Sequence, residues 1–195
     1  MEQPTVEPKK HPIRLTILTV TAIILALVLI EPHFRAPPVN HLQVEVEIDP
    51  DVIALAKYMK LRTSRIPREI AELQATVIVE AARKEQVPLS LVVAIIEKES
   101  LFHPFSVSSA NASGLMQVLV ETGVEIDPDR KYDLTYNVQT GCKILKSKLN
   151  KSGGKLTPAL AAYSGNAEGY SDDILANVGR WTLYRERQDV NVASN

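Results

Sequence analysis

Glu99 is the residue whose type and position most directly suggest chemistry. It sits near the end of PLSLVVAIIEKES, residues 88–100. At about 100° per residue, a helix puts Val92, Ile95, Ile96 and Glu99 on one apolar stripe. Glu97 then falls on the opposite side and is expected to face solvent. A carboxyl pressed into an apolar face loses hydration of its charged form, so its pKa rises and it can hold a proton near neutral pH. That is what a general acid requires. The helical wheel alone equally suits a glutamate that caps its own helix end or points out past the last turn. The four histidines are scattered and Cys142 is the only cysteine, so no metal site, no cofactor and no internal disulfide are expected.

The eighteen residues after Glu99 make the reading specific. Glu99-Ser100-Leu101-Phe102-His103-Pro104 is followed by Ser108, Ala112 and Gly114-Leu115-Met116-Gln117. This resembles the signature of the lytic transglycosylase (SLT) domain family, with its goose-type lysozyme-like fold: a catalytic E-S, an aromatic, a proline, a serine nine residues after the glutamate, and G-L-M-Q. Further along, Asp133-Leu134 with Asn137, Gly141 and Leu145 is similar to the family's D-L, N, G, L segment. Ala159-Leu160-Ala161-Ala162-Tyr163 looks like its A-L-A-A-Y motif. There are departures. Asn111 replaces a usual glycine, a change that the tolerance of Asn for left-handed backbone accommodates. Val120 stands where a proline often follows, and Ser164 where an asparagine often follows the tyrosine. Ser164-Gly165-Asn166 supplies an amide nearby. His103 occupies a position that is commonly Asn, and the stretch from Gln117 to Asp133 is short.

The resemblance implies a substrate, the peptidoglycan glycan strand, cleaved between N-acetylmuramic acid and N-acetylglucosamine. It makes Glu99 the catalytic acid and then base. Most glycosidases pair two carboxyls, yet no second acidic residue lies near Glu99 in the motif region. The family's solution is assistance from the substrate's own acetamido group, giving a 1,6-anhydromuramoyl end without consuming water. Ser108, Met116, Gln117, Tyr163 and Asn166 are the implied substrate-binding residues. Each also has a plain structural reading: Met116 and Tyr163 suit a core, and Ser108 suits a cap. A lysozyme-like hydrolase, or a weakly active wall-binding assembly factor of a secretion or conjugation apparatus, are the alternatives.

The elements needed to position these residues read as helices. Amphipathic spacing runs through Ile53, Leu55, Ala56, Tyr58 and Met59, and then through Ile70, Leu73, Val77 and Ala81. Pro67 and Pro88 suit helix starts. Further helices are expected over Leu115 to Val120, through Val138, Cys142, Leu145 and Leu149, from Thr157-Pro158, and from Ser171 to about Tyr184. The expected fold class is all-α, a lysozyme-like helical domain, with Cys142 as buried packing.

Length and charge fit one domain with an appendage. The chain has 195 residues, 45% of them hydrophobic and 23% charged, with a formal net charge of −1, which offers no basic field to concentrate nucleic acid. That average hides residues 15–30, LTILTVTAIILALVLI, with thirteen apolar residues of sixteen, three threonines and no charge. Lys9, Lys10 and Arg14 precede the run and Arg35 alone follows closely. The positive-inside bias therefore orients it as a single-pass inner-membrane anchor with the catalytic domain facing the periplasm and cell wall. A cleaved signal peptide, without an A-x-A pattern to support it, and a buried core helix, although apolar residues occur all round the stretch rather than on one stripe, are the competing readings. The expected organisation is a cytoplasmic N-terminus (1–14), a transmembrane anchor (15–30), an extended linker (31–49), a helical lead-in (50–79), a catalytic domain (80–187) and a flexible tail (188–195).

Overall fold

The computed structural model describes residues 49–119 and 127–193. The chain divides into two compact units, and the second, from Glu47 onward, contains all the described residues. The proposed anchor at 15–30, nearly all of the linker, and Val120 lie outside them.

The described residues of this unit form six α-helices: α1 (Pro50–Arg62), α2 (Arg68–Lys84), α3 (Leu89–Ser100), α4 (Leu134–Lys151), α5 (Leu156–Tyr163) and α6 (Tyr170–Ala193). A single 3-10 turn, Pro128–Arg130, precedes α4. Local sequence explains the starts. Asp49 caps α1 by accepting from the Asp51 amide at 2.9 Å, with Pro50 in the first helical position where no amide is needed. Asp133 caps α4 by accepting from the Tyr136 amide at 2.9 Å. Pro67 and Pro88 stand immediately before α2 and α3. The expected boundary at 79/80 falls inside α2, whose apolar spacing continues to its end. Helix α6 runs to Ala193, past the boundary drawn at 187, with an Arg185–Asp189 pair at i,i+4 supporting its last turns.

Helix α3 is the centre of the unit. Leu91 through Glu97 are all buried, as an apolar surface all round a helix demands. Helices α2 and α6 pack on it, α1 and α4 lie on α2, and α5 bridges α4 and α6. The burial of Glu97 corrects the expectation that it faces solvent: it is 6% exposed. Its carboxylate accepts from the Tyr58 hydroxyl at 2.6 Å, Arg62 Nε at 2.6 Å and Arg180 at 2.7 Å. These partners come from α1 and α6, distant in sequence, so a single-helix wheel could not reveal them. Around them Tyr58, Trp181 and Tyr184 pack ring against ring, and Phe102 meets Tyr58 edge-on.

The expected helix over 115–120 is absent from its described part. Val107, Ser113 and Val118 form two isolated antiparallel bridges instead. The Ser113 and Val118 amides each donate to the other's carbonyl, and Gly114 and Gln117 take left-handed φ values of 81° and 45°. Buried Asn137 fixes this turn on α4. Its amide donates to the Ser113 carbonyl at 2.8 Å and the Lys131 carbonyl at 3.0 Å, and its oxygen accepts from the Met116 amide at 3.0 Å. The apolar spacing of the segment therefore reflects burial of a turn. Asn111 adopts the left-handed conformation expected of it, with φ 66°.

Met116 seats against Gly141, where an added Cβ would lie 2.5 Å from Met116 Cβ and Sδ. Gly141→Ala should therefore cost about 2 kcal/mol of stability by overpacking, read from chemical denaturation. Glu97→Ala should cost about 3 kcal/mol in the same measurement, because it opens a buried anchor and strands the Tyr58 hydroxyl.

Candidate active site

Glu99 occupies the last turn of α3, half-buried. The chain reverses directly after it, with Leu101 and Phe102 both left-handed at φ 49° and 64°. Burial of the Phe102 ring, 0% exposed, holds this costly conformation. Tyr170, buried at the start of α6, donates its hydroxyl to Glu99 Oε1 at 2.5 Å. Desolvation raises the Glu99 pKa above the ordinary carboxyl value, while the Tyr170 hydrogen bond and the nearby Lys98 charge pull it back. The net effect is upward. Burial and the facing carboxylate push the Tyr170 hydroxyl far up, so it stays a donor.

A cavity of about 340 Å³ opens beside Glu99. Ser108 and Gln117 line it from the bridged loop, Ile144 and Lys148 from α4, and Tyr163 and Ser164 from the end of α5. Glu99 is the one carboxyl among its described lining residues. Tyr163 is half-buried and its hydroxyl donates to the Met116 carbonyl at 3.0 Å. Its pKa is raised strongly by burial and next by the Glu99 charge. Gln117 donates its side-chain amide to the Ser106 and Gly114 carbonyls, both at 3.0 Å, which stiffens the loop wall. Exposed Ser108 accepts from the Ala112 amide at 3.1 Å, so the same hydroxyl closes a turn and faces the cavity.

Four of the expected site residues are thus brought together: Glu99, Ser108, Gln117 and Tyr163. Two are not. The Met116 side chain is fully buried, packed on Gly141 and 4.0 Å from Cys142 Sγ, and contributes only its carbonyl, as the anchor for Tyr163. Asn166 is exposed and outside the cavity lining. Gly165 and Asn166 turn left-handed, and the Asn166 amide donates to the Ala161 carbonyl at 2.7 Å, closing the end of α5. Cys142 is buried packing, as expected, its thiol pushed up to about 12 by burial.

Tyr170 is the contributor that motif reading passed over. It shares the buried face of α6 with Ile174, Asn177 and Trp181, a spacing of four, three and four. That stripe marks it as facing α3, though nothing local says it meets Glu99. Chemically, the arrangement is one carboxyl of raised pKa at the wall of a cavity, held by a tyrosine that always donates. Such a group can give a proton and then take one back.

An all-helical, lysozyme-like domain with a single poised carboxyl is the class that this fold and site define. The model of the Transglycosylase SLT domain family matches residues 76–178, more than half of the chain, and the chain belongs to that family. It is 35% identical over 106 residues to the membrane-bound lytic murein transglycosylase C of Cronobacter sakazakii, covering 45% of this chain and 29% of the relative. It is 33% identical over 75 residues to a transglycosylase of Enterobacteria phage PRD1, covering 38% of this chain and 28% of the relative. The chain thus spans under a third of either relative's length. Among solved structures, an inactive mutant of the lytic transglycosylase Slt from Pseudomonas aeruginosa shares the fold, with a TM-score of 0.52 and 17% identity over 71% of this chain and 30% of that one.

The Tyr170 hydrogen bond stabilises the Glu99 carboxylate, so its removal shifts the balance further toward the protonated acid. In Tyr170→Phe, the Glu99 carboxyl resonance, followed by carbon NMR, should titrate at higher pH than in the wild type.

Proposed function

We propose that the protein is a lytic transglycosylase that cleaves peptidoglycan glycan strands between N-acetylmuramic acid and N-acetylglucosamine, leaving 1,6-anhydromuramoyl ends. The observation that carries this reading is Glu99, a carboxyl of raised pKa with no carboxyl partner among the described residues lining its cavity. Two-carboxyl glycosidase chemistry needs such a partner, as nucleophile or as base for water. A lone acid suits a substrate that supplies its own nucleophiles. Family membership and the transglycosylase activity that the two relatives are named for agree with it.

In this mechanism Glu99 protonates the leaving glycosidic oxygen as the muramoyl acetamido oxygen attacks C1, which forms an oxazolinium ion. The carboxylate left behind then accepts the proton of the muramoyl 6-hydroxyl. That oxygen attacks C1, the acetamido group departs, and Glu99 is again protonated. No water enters the balance. Tyr170 holds the carboxyl in place through both proton transfers. Ser108, Gln117 and Tyr163 form the wall against which the muramoyl residue lies.

We infer in addition that residues 15–30 anchor the chain in the inner membrane with the catalytic unit outside. The support is the uncharged apolar run and the positive charges ahead of it, together with the membrane-bound relative. Among the described residues no helix is long and apolar enough to cross a membrane. Protease added to spheroplasts should digest the catalytic unit without membrane lysis; digestion only after lysis would reverse the topology.

Wild-type protein incubated with purified peptidoglycan should release anhydromuropeptides, identified by mass. Glu99→Gln should lower that release by at least about a hundredfold. Hydrated reducing ends would instead identify a hydrolase. Activity needs protonated Glu99 for the first step, so it should fall as pH rises through the raised Glu99 pKa. Tyr170→Phe should carry that alkaline limb upward.

A further inference from the structure

Lys148 is the one cation among the described residues that line the cavity. It is half-buried on α4, one turn after Ile144. Its ammonium has no hydrogen-bond or ion-pair partner among the described residues. The other lysines of this helix are differently placed: Lys143 and Lys151 are exposed, and Lys146 donates to the Gln86 carbonyl at 3.2 Å. A lysine on a cavity wall offers its ammonium as a point charge to anything anionic or polar that meets it. Within the cavity nothing described does. Lys148 reaches the cavity from α4 and Glu99 from α3, so the cation and the carboxyl stand on different elements of its lining.

We propose that Lys148 is a specificity-determining residue that pairs with a carboxylate carried by the muramoyl residue of the substrate. The proposal rests on the reading of the cavity as a peptidoglycan groove. Two sources present this chemistry: the stem peptide, and the lactyl group once the peptide has been removed. A single ammonium at a groove wall fits either as a point charge. The contact would select wall glycan over neutral N-acetylglucosamine polymers.

The test compares full-length wild type, Lys148→Met and Lys148→Arg on three strands with the same glycan: peptide-bearing, peptide-bearing with its carboxylates amidated, and peptide-free with the lactyl carboxylate. On strands with the partner carboxylate, Lys148→Met should raise KM roughly tenfold or more, with the loss in KM rather than kcat. The wild-type KM should rise with salt and the Lys148→Met value should not. Lys148→Arg should recover most of the loss. An effect abolished by amidation and absent on peptide-free strands assigns the stem peptide; an effect on peptide-free strands assigns the lactyl group. If the wild type turns over strands and Lys148→Met shows an unchanged KM on every carboxylate-bearing one, the proposal is overturned and the enzymatic reading stands. If the wild type turns over nothing, the enzymatic reading fails, and strand binding is then titrated in the Glu99→Gln background with Lys or Met at 148. Equal affinities there overturn the proposal, and a tenfold loss with Met upholds it.

Discussion

Seven consecutive residues of α3, Leu91 to Glu97, are buried, and the last is a carboxylate. A charge at that depth is tolerable only when paired and hydrogen-bonded. Arg62 and Arg180 converge on one of its oxygens and Tyr58 holds the other. The rest of the unit depends on this knot, because it ties the end of α1 and the middle of α6 to the turn of α3 just before Glu99. With α3 and α6 locked together there, Tyr170 at the head of α6 reaches Glu99, Lys98 pairs with Asp173 at 2.6 Å, and Asn177 donates to the Ala94 carbonyl at 3.3 Å.

Glu97 and Glu99 thus show how environment separates two identical side chains two residues apart. The first is surrounded by cations and donors and serves as an anchor. For the second, burial outweighs one neutral donor, Tyr170, and the nearby Lys98 charge, so its proton is held more tightly than usual.

Much of this was legible in the sequence because helix periodicity and capping are local. The stripe of Val92, Ile95, Ile96 and Glu99, the starts after Pro67 and Pro88, and the packing of Val138, Cys142 and Leu145 follow from residues within a few turns of one another. What escaped was long-range. Glu97 lies 39 residues from Tyr58, 35 from Arg62 and 83 from Arg180, and 71 residues separate Tyr170 from Glu99. The segment after Gly114 carried an apolar pattern that could serve a helix or a buried turn, and Asn137, on another element, decided for the turn. Nothing local marks Lys148, because the end of α5, which shares its cavity, is brought to it only by the fold.

The knot around Glu97 has a consequence for modularity. The family match covers residues 76–178, yet Tyr58 and Arg62 come before it, and Arg180, Trp181 and Tyr184 after it. The segment that defines the family therefore does not contain the partners of Glu97, the buried carboxylate of its own central helix, in this chain. Grafted elsewhere with those boundaries, it would carry a buried anion with no counter-ion and lose the packing that aims Tyr170. The autonomous unit is set by where the charge of α3 is neutralised, and it is longer at both ends than the motif that names the family.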